Sequence, residues 1–246
     1  MPPTASHTLQ SLDAYVAIPV ATADRPGPWP GVVVIHDILG TSDDLREQAD
    51  WLAAAGYLAV GPDLYRGKAA IRCVKAVLGQ LKAQRGPVFA QVESMRTALA
   101  KDELCTGAVG VIGYCMGGGF ALLMAGRPGW SAASVNYGVV PDNAVDVLAG
   151  ACPIVASFGA KDRSLSGAAA KLTAAAATAG VEADVKEYPD AGHAFMNRFA
   201  VASPLGPILK VVGIGYDHTA AADAKRRILA FFDTHLRQSG QPPPEH

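Results

Sequence analysis

The sequence predicts an α/β protein with a mostly parallel central sheet covered by helices on both faces. Short apolar runs, which are typical of buried strands, alternate along the chain with segments of helical spacing. The 246 residues are 50% hydrophobic and 17% charged, a composition that suits a large buried core and excludes a disordered chain. Alternation of strand and helix in one chain is typical of a parallel sheet with helices on each side.

Seven strands are predicted, each a short apolar run bounded by glycine, proline or polar residues. They cover residues 12–20, 31–35, 57–60, 108–112, 132–136, 154–158 and 183–188. Helices are predicted between these strands and after the last one. They cover 43–55, two segments within 70–101, the residues that follow the 108–112 strand up to about 125, 164–178 and 220–236.

Local signals set the ends of several helices. Ser42 is expected to be an N-cap, since two acidic residues follow it in the first turn. Gly56 and Gly180 are expected to close the helices that precede them. The Gly86-Pro87 pair breaks the 70–101 segment into two helices.

Residues 9–238 are expected to form a single domain. Residues 1–8 and 239–246 are expected to be flexible tails, the second of which contains three consecutive prolines. The N-terminus has neither a basic start nor an apolar stretch, so no signal peptide is expected.

The net charge and the cysteine pattern limit which partners and which kinds of site the chain can have. The 21 basic and 22 acidic residues give a net charge of −1, so no basic field attracts nucleic acid or an anionic membrane. The four cysteines are scattered and none forms a C-x-x-C pair, which argues against a disulfide scaffold and a structural zinc site. We expect no metal, no cofactor, a cytoplasmic setting, and a monomer or weak homodimer that acts on a small molecule.

The uncharged segment 106–126 is long enough to cross a bilayer. It contains seven glycines, however, and several of them cluster at its middle. A strand, a tight turn and a helix explain this pattern better than one lipid-facing helix.

The tight turn in this segment carries the most informative motif. Residues 113–117 read Gly-Tyr-Cys-Met-Gly, between a predicted strand and a predicted helix. This is the nucleophile elbow of α/β-hydrolases with cysteine in place of serine. Cys115 is therefore the predicted nucleophile, and its place at a helix N-terminus favours a thiolate. The other three cysteines are expected to be inert.

A base and an orienting acid follow in the chain order of α/β-hydrolases. Asp162 and His193 each come shortly after a predicted strand, and parallel strands deliver such residues to one edge of a sheet. Asp190 is a rival for the acid, although it could instead cap the turn before His193. Asp162 is preferred because it follows a strand of its own.

The same edge should hold the oxyanion hole, which stabilises negative charge on the substrate carbonyl. In the α/β-hydrolase fold the donors are the N–H after the nucleophile and one in the loop after an early strand. Here they would be the N–H groups of Met116 and Ile38. A simple turn before the Ser42 helix is the alternative for the second segment, and His36 could be either a packed or a functional residue.

Four motifs together resemble the dienelactone hydrolase (carboxymethylenebutenolidase) family. They are Gly-Pro-Asp-Leu-Tyr, Gly-Tyr-Cys-Met-Gly-Gly-Gly, Gly-Ala-Lys-Asp and Ala-Gly-His-Ala-Phe, in the order and spacing of that family from about residue 14 to 236. The resemblance implies an α/β-hydrolase fold and a cofactor-free hydrolase that acts on a lactone or an ester. It also implies a triad of Cys115, His193 and Asp162.

The resemblance assigns roles to two further residues. The family typically has a glutamate that holds and helps activate the thiol, and Asp37, which is one methylene shorter, stands at the matching position. The namesake enzymes bind a substrate carboxylate through an arginine after the Asp-Leu-Tyr strand end, where this chain has Arg66. A solvated loop charge is the alternative for Arg66.

The predicted function is hydrolysis of a lactone or small carboxylic ester through a thioester on Cys115. A ligand-binding protein without turnover on the same fold is the main alternative. A redox sensor is a third possibility if Cys152 lies close enough to Cys115 to act as a resolving cysteine. The apolar, irregular segment 199–216 is expected to cover part of the pocket.

Overall fold

A computed structural model describes residues 9, 12–23, 25–68, 70–198 and 214–237. Within these residues, seven strands form one sheet in the spatial order β1-β3-β2-β4-β5-β6-β7. The strands are β1 (Ala14–Ala17), β2 (Trp29–Ile35), β3 (Leu58–Pro62), β4 (Cys105–Tyr114), β5 (Ala132–Asn136), β6 (Ile154–Gly159) and β7 (Ala183–Tyr188). The predicted tails at 1–8 and 239–246 and most of the segment 199–216 lie outside the described residues.

The sheet is parallel except at one edge. Strands β2 to β7 pair in parallel, as where Val33 lies opposite Val60 on β3 and Val111 on β4. Strand β1 pairs antiparallel with β3, so that Tyr15 lies opposite Gly61. The prediction of a mostly parallel sheet is therefore confirmed.

Seven α-helices connect or flank these strands in the described part of the chain. They are α1 (Asp43–Ala54), α2 (Ala70–Ala83), α3 (Pro87–Ala100), α4 (Met116–Ala125), α5 (Ala144–Leu148), α6 (Ala168–Ala179) and α7 (His218–Phe232). The break between α2 and α3 falls at Gly86-Pro87, as predicted, because proline fits the first turn of a helix but not its interior.

Alternate side chains of β2 enter two separate cores. Val33 and Ile35 pack on the face covered by α3 and α4, whereas Val32 and Val34 pack on the face covered by α1 and α7. All seven residues of β2 are buried. A continuous apolar run is what a central strand needs when helices cover both of its faces.

Several boundaries differ from the prediction. The first strand is only 14–17, and β4 begins three residues early because Cys105 pairs with Trp29 beyond the apolar run. The predicted helix over 164–178 is a 3₁₀ turn, Arg163–Leu165, followed by α6, because Gly167 at φ +76° separates the two. The last helix ends at 232 and continues as a wider turn, Asp233–Arg237, and α5 was not predicted.

The uncharged segment 106–126 forms most of β4, the turn at 115, and α4. All ten residues of α4 are buried in the protein core. Among the residues that the structure describes, no helix combines the length and the apolar character needed to cross a bilayer.

The core on the α7 side should respond strongly to truncation. Phe232 is fully buried, with its ring edge-on to Tyr57 at 5.9 Å between centroids. We expect Phe232→Ala to lower the free energy of unfolding by about 3–5 kcal/mol, measured by urea denaturation, because it leaves a cavity. The control Val20→Ala, at a side chain that is 68% exposed, should change it by less than about 0.5 kcal/mol. Equal effects of the two substitutions would contradict this packing.

Candidate active site

The carboxyl ends of four parallel strands carry the predicted site residues. Cys115 follows β4, Asp162 follows β6 and His193 follows β7, while Asp37 and Ile38 follow β2. Since these strands run in the same direction, their ends lie at one edge of the sheet.

The turn at Cys115 is sharp and needs its glycines. Cys115 has φ +55° and ψ −115°, a backbone conformation that non-glycine residues rarely adopt. A Cβ atom on Gly113 would lie 1.9 Å from the carbonyl oxygen of Gly117, and one on Gly117 would lie 2.2 Å from that of Ile35. The structure thus shows the strand–turn–helix geometry that the motif predicts. The close contact at Gly117 also places the turn directly against the end of β2.

Three predicted side chains meet at this turn. His193 Nε2 lies 3.1 Å from Cys115 Sγ, and His193 Nδ1 lies 2.5 Å from Asp162 Oδ2. The line of contacts therefore runs from the carboxylate through the imidazole to the sulfur. This is the arrangement of nucleophile, base and orienting acid that acyl transfer requires.

The Asp162 carboxylate is held from two sides. Its Oδ1 accepts hydrogen bonds from the backbone N–H of Ser164 at 3.0 Å and from the Ser164 hydroxyl at 2.5 Å. Burial raises the pKa of Asp162, but the hydrogen bonds from His193 and Ser164 outweigh it and hold the pKa below its usual value. The rival Asp190 is exposed and pairs with Lys161 at 3.0 Å.

His193 carries a positive charge at neutral pH. Burial lowers its pKa, but the hydrogen bonds to Asp162 and Cys115 oppose burial and raise the pKa to about 10. The charged imidazole lies 3.1 Å from Cys115 Sγ, where it can stabilise negative charge that forms during a reaction.

The two predicted oxyanion donors come from adjacent turns. Met116 begins α4, so its N–H is one of the first four of the helix, which have no acceptor within it. Ile38 lies in the loop after β2, and its carbonyl oxygen accepts a hydrogen bond of 2.9 Å from the Tyr65 hydroxyl. His36 is buried in the same loop, where Nδ1 is 2.5 Å from the Asp37 carbonyl and Nε2 accepts from Leu64 N–H at 3.2 Å. His36 is thus a packed residue that joins two loops.

The Asp37 carboxylate is buried below this loop. Its Oδ1 accepts from Leu39 N–H at 2.7 Å, and its Oδ2 accepts from the Asn197 side-chain amide at 2.9 Å. Burial, helped by the neighbouring Asp44, raises the pKa of Asp37 to about 6, although the hydrogen bond from Leu39 opposes this. The resemblance implies that this carboxylate contacts the Cys115 thiol. In the structure its hydrogen-bond partners are Leu39 and Asn197.

Sequence analysis did not identify two residues of the site, Asn197 and Tyr137. Asn197 lies four positions after His193, and its Oδ1 accepts a hydrogen bond from the hydroxyl of Tyr137. The Tyr137 ring is edge-on to the His193 ring, with 5.5 Å between centroids. Tyr137 directly follows β5, so the rule that found the other strand-end residues could have found it, whereas no local pattern indicates Asn197.

Arg66 lies in the turn after β3, with φ +53° and an exposed side chain. Together with Lys68 and Arg72 it lines a cavity of about 480 Å³. Tyr65 lines the same cavity and reaches the Ile38 carbonyl through its hydroxyl. The basic cavity therefore adjoins the predicted oxyanion loop.

The distance between Cys115 and Cys152 excludes the hypothesis that Cys152 is a resolving cysteine. The backbone N–H of Cys152 donates to the carbonyl of Ala125, the last residue of α4, whereas Cys115 precedes the first residue of that helix. The ten-residue helix is roughly 15 Å long, and a disulfide requires Cα atoms within about 7 Å. Burial also raises the pKa of the Cys152 thiol to about 12. Cys152 is therefore not placed to resolve an oxidised Cys115.

Comparison with known proteins agrees with this geometry. The model of the dienelactone hydrolase family matches residues 12–236. The chain belongs to the dienelactone hydrolase family. It is 27% identical to a carboxymethylenebutenolidase of Pseudomonas putida over 237 residues, which cover 91% of this chain and 94% of that protein.

Solved structures of other proteins share this fold. A Klebsiella pneumoniae protein proposed to be a dienelactone hydrolase superposes with a TM-score of 0.72 at 26% identity, over 89% of this chain and 91% of that one. A dienelactone hydrolase-like promiscuous phosphotriesterase from metagenomic libraries superposes with a TM-score of 0.70 at 22% identity, over 88% and 90%. This member of the dienelactone hydrolase family therefore has the α/β-hydrolase fold, and it is a carboxylic ester hydrolase.

The charge on His193 in this dienelactone hydrolase family member can be tested by alkylation. His193 Nε2 lies 3.1 Å from Cys115 Sγ, and the His193 pKa of about 10 keeps the imidazole charged at pH 7. We expect iodoacetamide to alkylate Cys115 about tenfold more slowly in His193→Ala than in the wild type at pH 7, because the nearby positive charge that promotes attack by the sulfur is gone. Peptide mapping separates Cys115 from the other cysteines. Equal alkylation rates in the wild type and in His193→Ala would contradict a charged imidazole beside the sulfur.

Proposed function

We propose that this hydrolase cleaves a lactone or a small carboxylic ester through a thioester on Cys115. In this proposal His193 moves the protons, and Asp162 holds the His193 ring in one orientation. The observation that carries the proposal is the unbroken line of close contacts from the Asp162 carboxylate through His193 to Cys115 Sγ. That line ends at the turn whose backbone presents the sulfur at the edge of the sheet.

In the first half of the reaction the Cys115 thiolate attacks the carbonyl carbon of the substrate. A sulfur–carbon bond forms, and the carbonyl electrons move onto oxygen. The N–H groups of Met116 and Ile38 would donate to this oxygen, each stabilising the transition state by about 3–4 kcal/mol. Collapse then breaks the carbon–oxygen bond, and His193 gives its proton to the departing oxygen.

In the second half water hydrolyses the thioester. Neutral His193 takes a proton from the attacking water at Nε2. Its Nδ1–H stays on the ring and remains hydrogen-bonded to the Asp162 carboxylate. The second tetrahedral intermediate collapses, the carboxylic acid leaves, and the thiolate of Cys115 and the imidazolium of His193 are restored. The mechanism needs no group beyond these side chains, two backbone amides and water.

Membership in a hydrolase family favours this proposal over a ligand-binding protein without turnover. The proposed substrate class, an ester or a lactone, is taken from the family. The expected monomer or weak homodimer and the cytoplasmic setting stay predictions.

Hydrolysis of a small panel tests the nucleophile. We expect Cys115→Ala to lose at least about 10³-fold in kcat/KM on p-nitrophenyl acetate, a butenolide lactone and dienelactone, because the acyl acceptor is gone. The matched control is Cys152→Ala, a cysteine at the far end of α4, which should retain wild-type activity.

The outcomes of the panel separate the hypotheses. If Cys115→Ala keeps wild-type hydrolysis, the turn at 115 does not carry the reaction and the proposal is wrong. If no member of the panel is turned over but one binds saturably, the ligand-binding alternative is favoured. The preferred member of the panel defines the substrate class more narrowly.

We also propose that Arg66 contributes to binding of a substrate carboxylate. The support is its place in the basic cavity beside the oxyanion loop. Arg66→Ala should raise KM for dienelactone about tenfold or more, because a charge-assisted hydrogen bond contributes about 1.5–3 kcal/mol, and should leave KM for uncharged p-nitrophenyl acetate unchanged. Arg85→Ala, at an exposed arginine outside the cavity, is the control. An equal change for both substrates would remove Arg66 from carboxylate recognition.

A further inference from the structure

A buried chain of hydrogen bonds lies behind the site, and the reaction steps above do not use it. The hydroxyl of Tyr137 donates to Asn197 Oδ1, and Asn197 Nδ2 donates to Asp37 Oδ2 at 2.9 Å. The three side chains are at most 5% exposed. We call Tyr137, Asn197 and Asp37 the polar chain.

The donors in the polar chain point in one direction. Burial keeps the pKa of Tyr137 well above its usual value, so its hydroxyl keeps its proton and donates. Asn197 accepts at Oδ1 and donates from Nδ2, and the Asp37 carboxylate accepts at the end of the chain. Each group therefore has a defined role, and the carboxylate is the final acceptor.

The Asp37 end of the polar chain fixes the loop that carries Ile38. Asp37 Oδ1 accepts from the N–H of Leu39, two residues on, at 2.7 Å. The ring closed by this hydrogen bond includes the Ile38 nitrogen, so it sets the direction of the Ile38 N–H. On the other side of the residue, the Tyr65 hydroxyl holds the Ile38 carbonyl at 2.9 Å.

The Tyr137 end of the polar chain touches the base. The Tyr137 ring packs edge-on against His193, at 5.5 Å between centroids. Asn197 belongs to the segment that follows His193, and its backbone N–H donates to the Ala194 carbonyl at 2.9 Å. The polar chain therefore ties the His193 segment to the Ile38 loop across the site.

We propose that Asp37, Asn197 and Tyr137 are positioning residues that hold the Ile38 N–H toward the developing oxyanion. In this role Asp37 acts on the loop rather than on the thiol of Cys115. The inference rests on the proposed function, since it assigns the Ile38 amide to the oxyanion hole of that reaction.

Two reactions of Cys115 separate these roles. Alkylation by iodoacetamide forms a sulfur–carbon bond while the carbon–iodine bond breaks and iodide leaves, so no oxyanion develops. Ester hydrolysis develops an oxyanion in both of its halves. Loss of an oxyanion-positioning residue should therefore slow hydrolysis and spare alkylation, whereas loss of a thiol-activating residue should slow both.

The experiment compares both reactions in Asp37→Ala, Asn197→Leu and Tyr137→Phe. We expect Asp37→Ala and Asn197→Leu to lower kcat for p-nitrophenyl acetate by about 10–100-fold, because a small misplacement of a donor costs this much. KM and the alkylation rate at pH 7 should stay within about twofold of wild type. Tyr137→Phe removes only a hydroxyl and serves if the larger changes prevent folding, and it should lower kcat in the same selective way.

A conservative variant supplies the rescue. Asp37→Asn keeps an oxygen that can accept from Leu39 N–H. Its new amide nitrogen would meet the Asn197 amide nitrogen, so the Asn197 amide must turn over, after which its oxygen accepts from residue 37 and its nitrogen donates to the Tyr137 hydroxyl. We expect this variant to recover part of the kcat lost in Asp37→Ala. Equal loss in the two Asp37 variants would overturn the assignment, because the loop hydrogen bond would then be irrelevant.

Other outcomes also overturn the proposal. A parallel fall of hydrolysis and alkylation would assign Asp37 to the thiol, and unchanged hydrolysis in all variants would make the polar chain purely structural. Failure of the proposed function itself is recognised separately, because Cys115→Ala would then hydrolyse esters as well as wild type does.

Discussion

The site depends on backbone atoms that approach too closely for side chains to intervene. A Cβ atom on Gly117 would lie 2.2 Å from the Ile35 carbonyl oxygen, and one on Gly118 would lie 2.6 Å from that of Asn136. These contacts bring the ends of β2, β4 and β5 together around Cys115. The backbone strain at Cys115, typically about 1–3 kcal/mol for such a conformation, is offset by this packing and by the hydrogen bond from Cys115 N–H to the Asn136 carbonyl.

Around this turn the pKa values of two buried carboxylates are shifted in opposite directions. Hydrogen bonds from His193 and Ser164 hold the pKa of Asp162 low, so it stays ionised beside the charged imidazole. Burial raises the pKa of Asp37 to about 6 because its hydrogen bonds do not fully replace water. Environments that separate the pKa values of two acids in this way are typical of sites in which the acids have different roles.

Much of this arrangement could be predicted from the sequence because it depends on local pattern. Strand, glycine turn and helix around Cys115 are contiguous, and Asp162 and His193 each follow a strand, so parallel topology brings them together. Asn197 could not be predicted, because it contacts Asp37 160 positions earlier in the chain. Strand ends were also imprecise, as at β4, because hydrogen bonding to Trp29 rather than apolar character decides where that strand begins.

The full burial of α4 means that the two proposed oxyanion donors are held in different ways. Met116 begins a helix whose ten residues are all buried, so packing of the protein core fixes the position of its amide. Ile38 is 45% exposed, and hydrogen bonds at its carbonyl and at the N–H of Leu39 hold its loop in place. Displacing the Met116 amide therefore requires the helix to leave the core, whereas displacing the Ile38 amide requires only that these hydrogen bonds break. One half of the proposed oxyanion hole is therefore as persistent as the fold, and the other half is as persistent as a few hydrogen bonds in one loop.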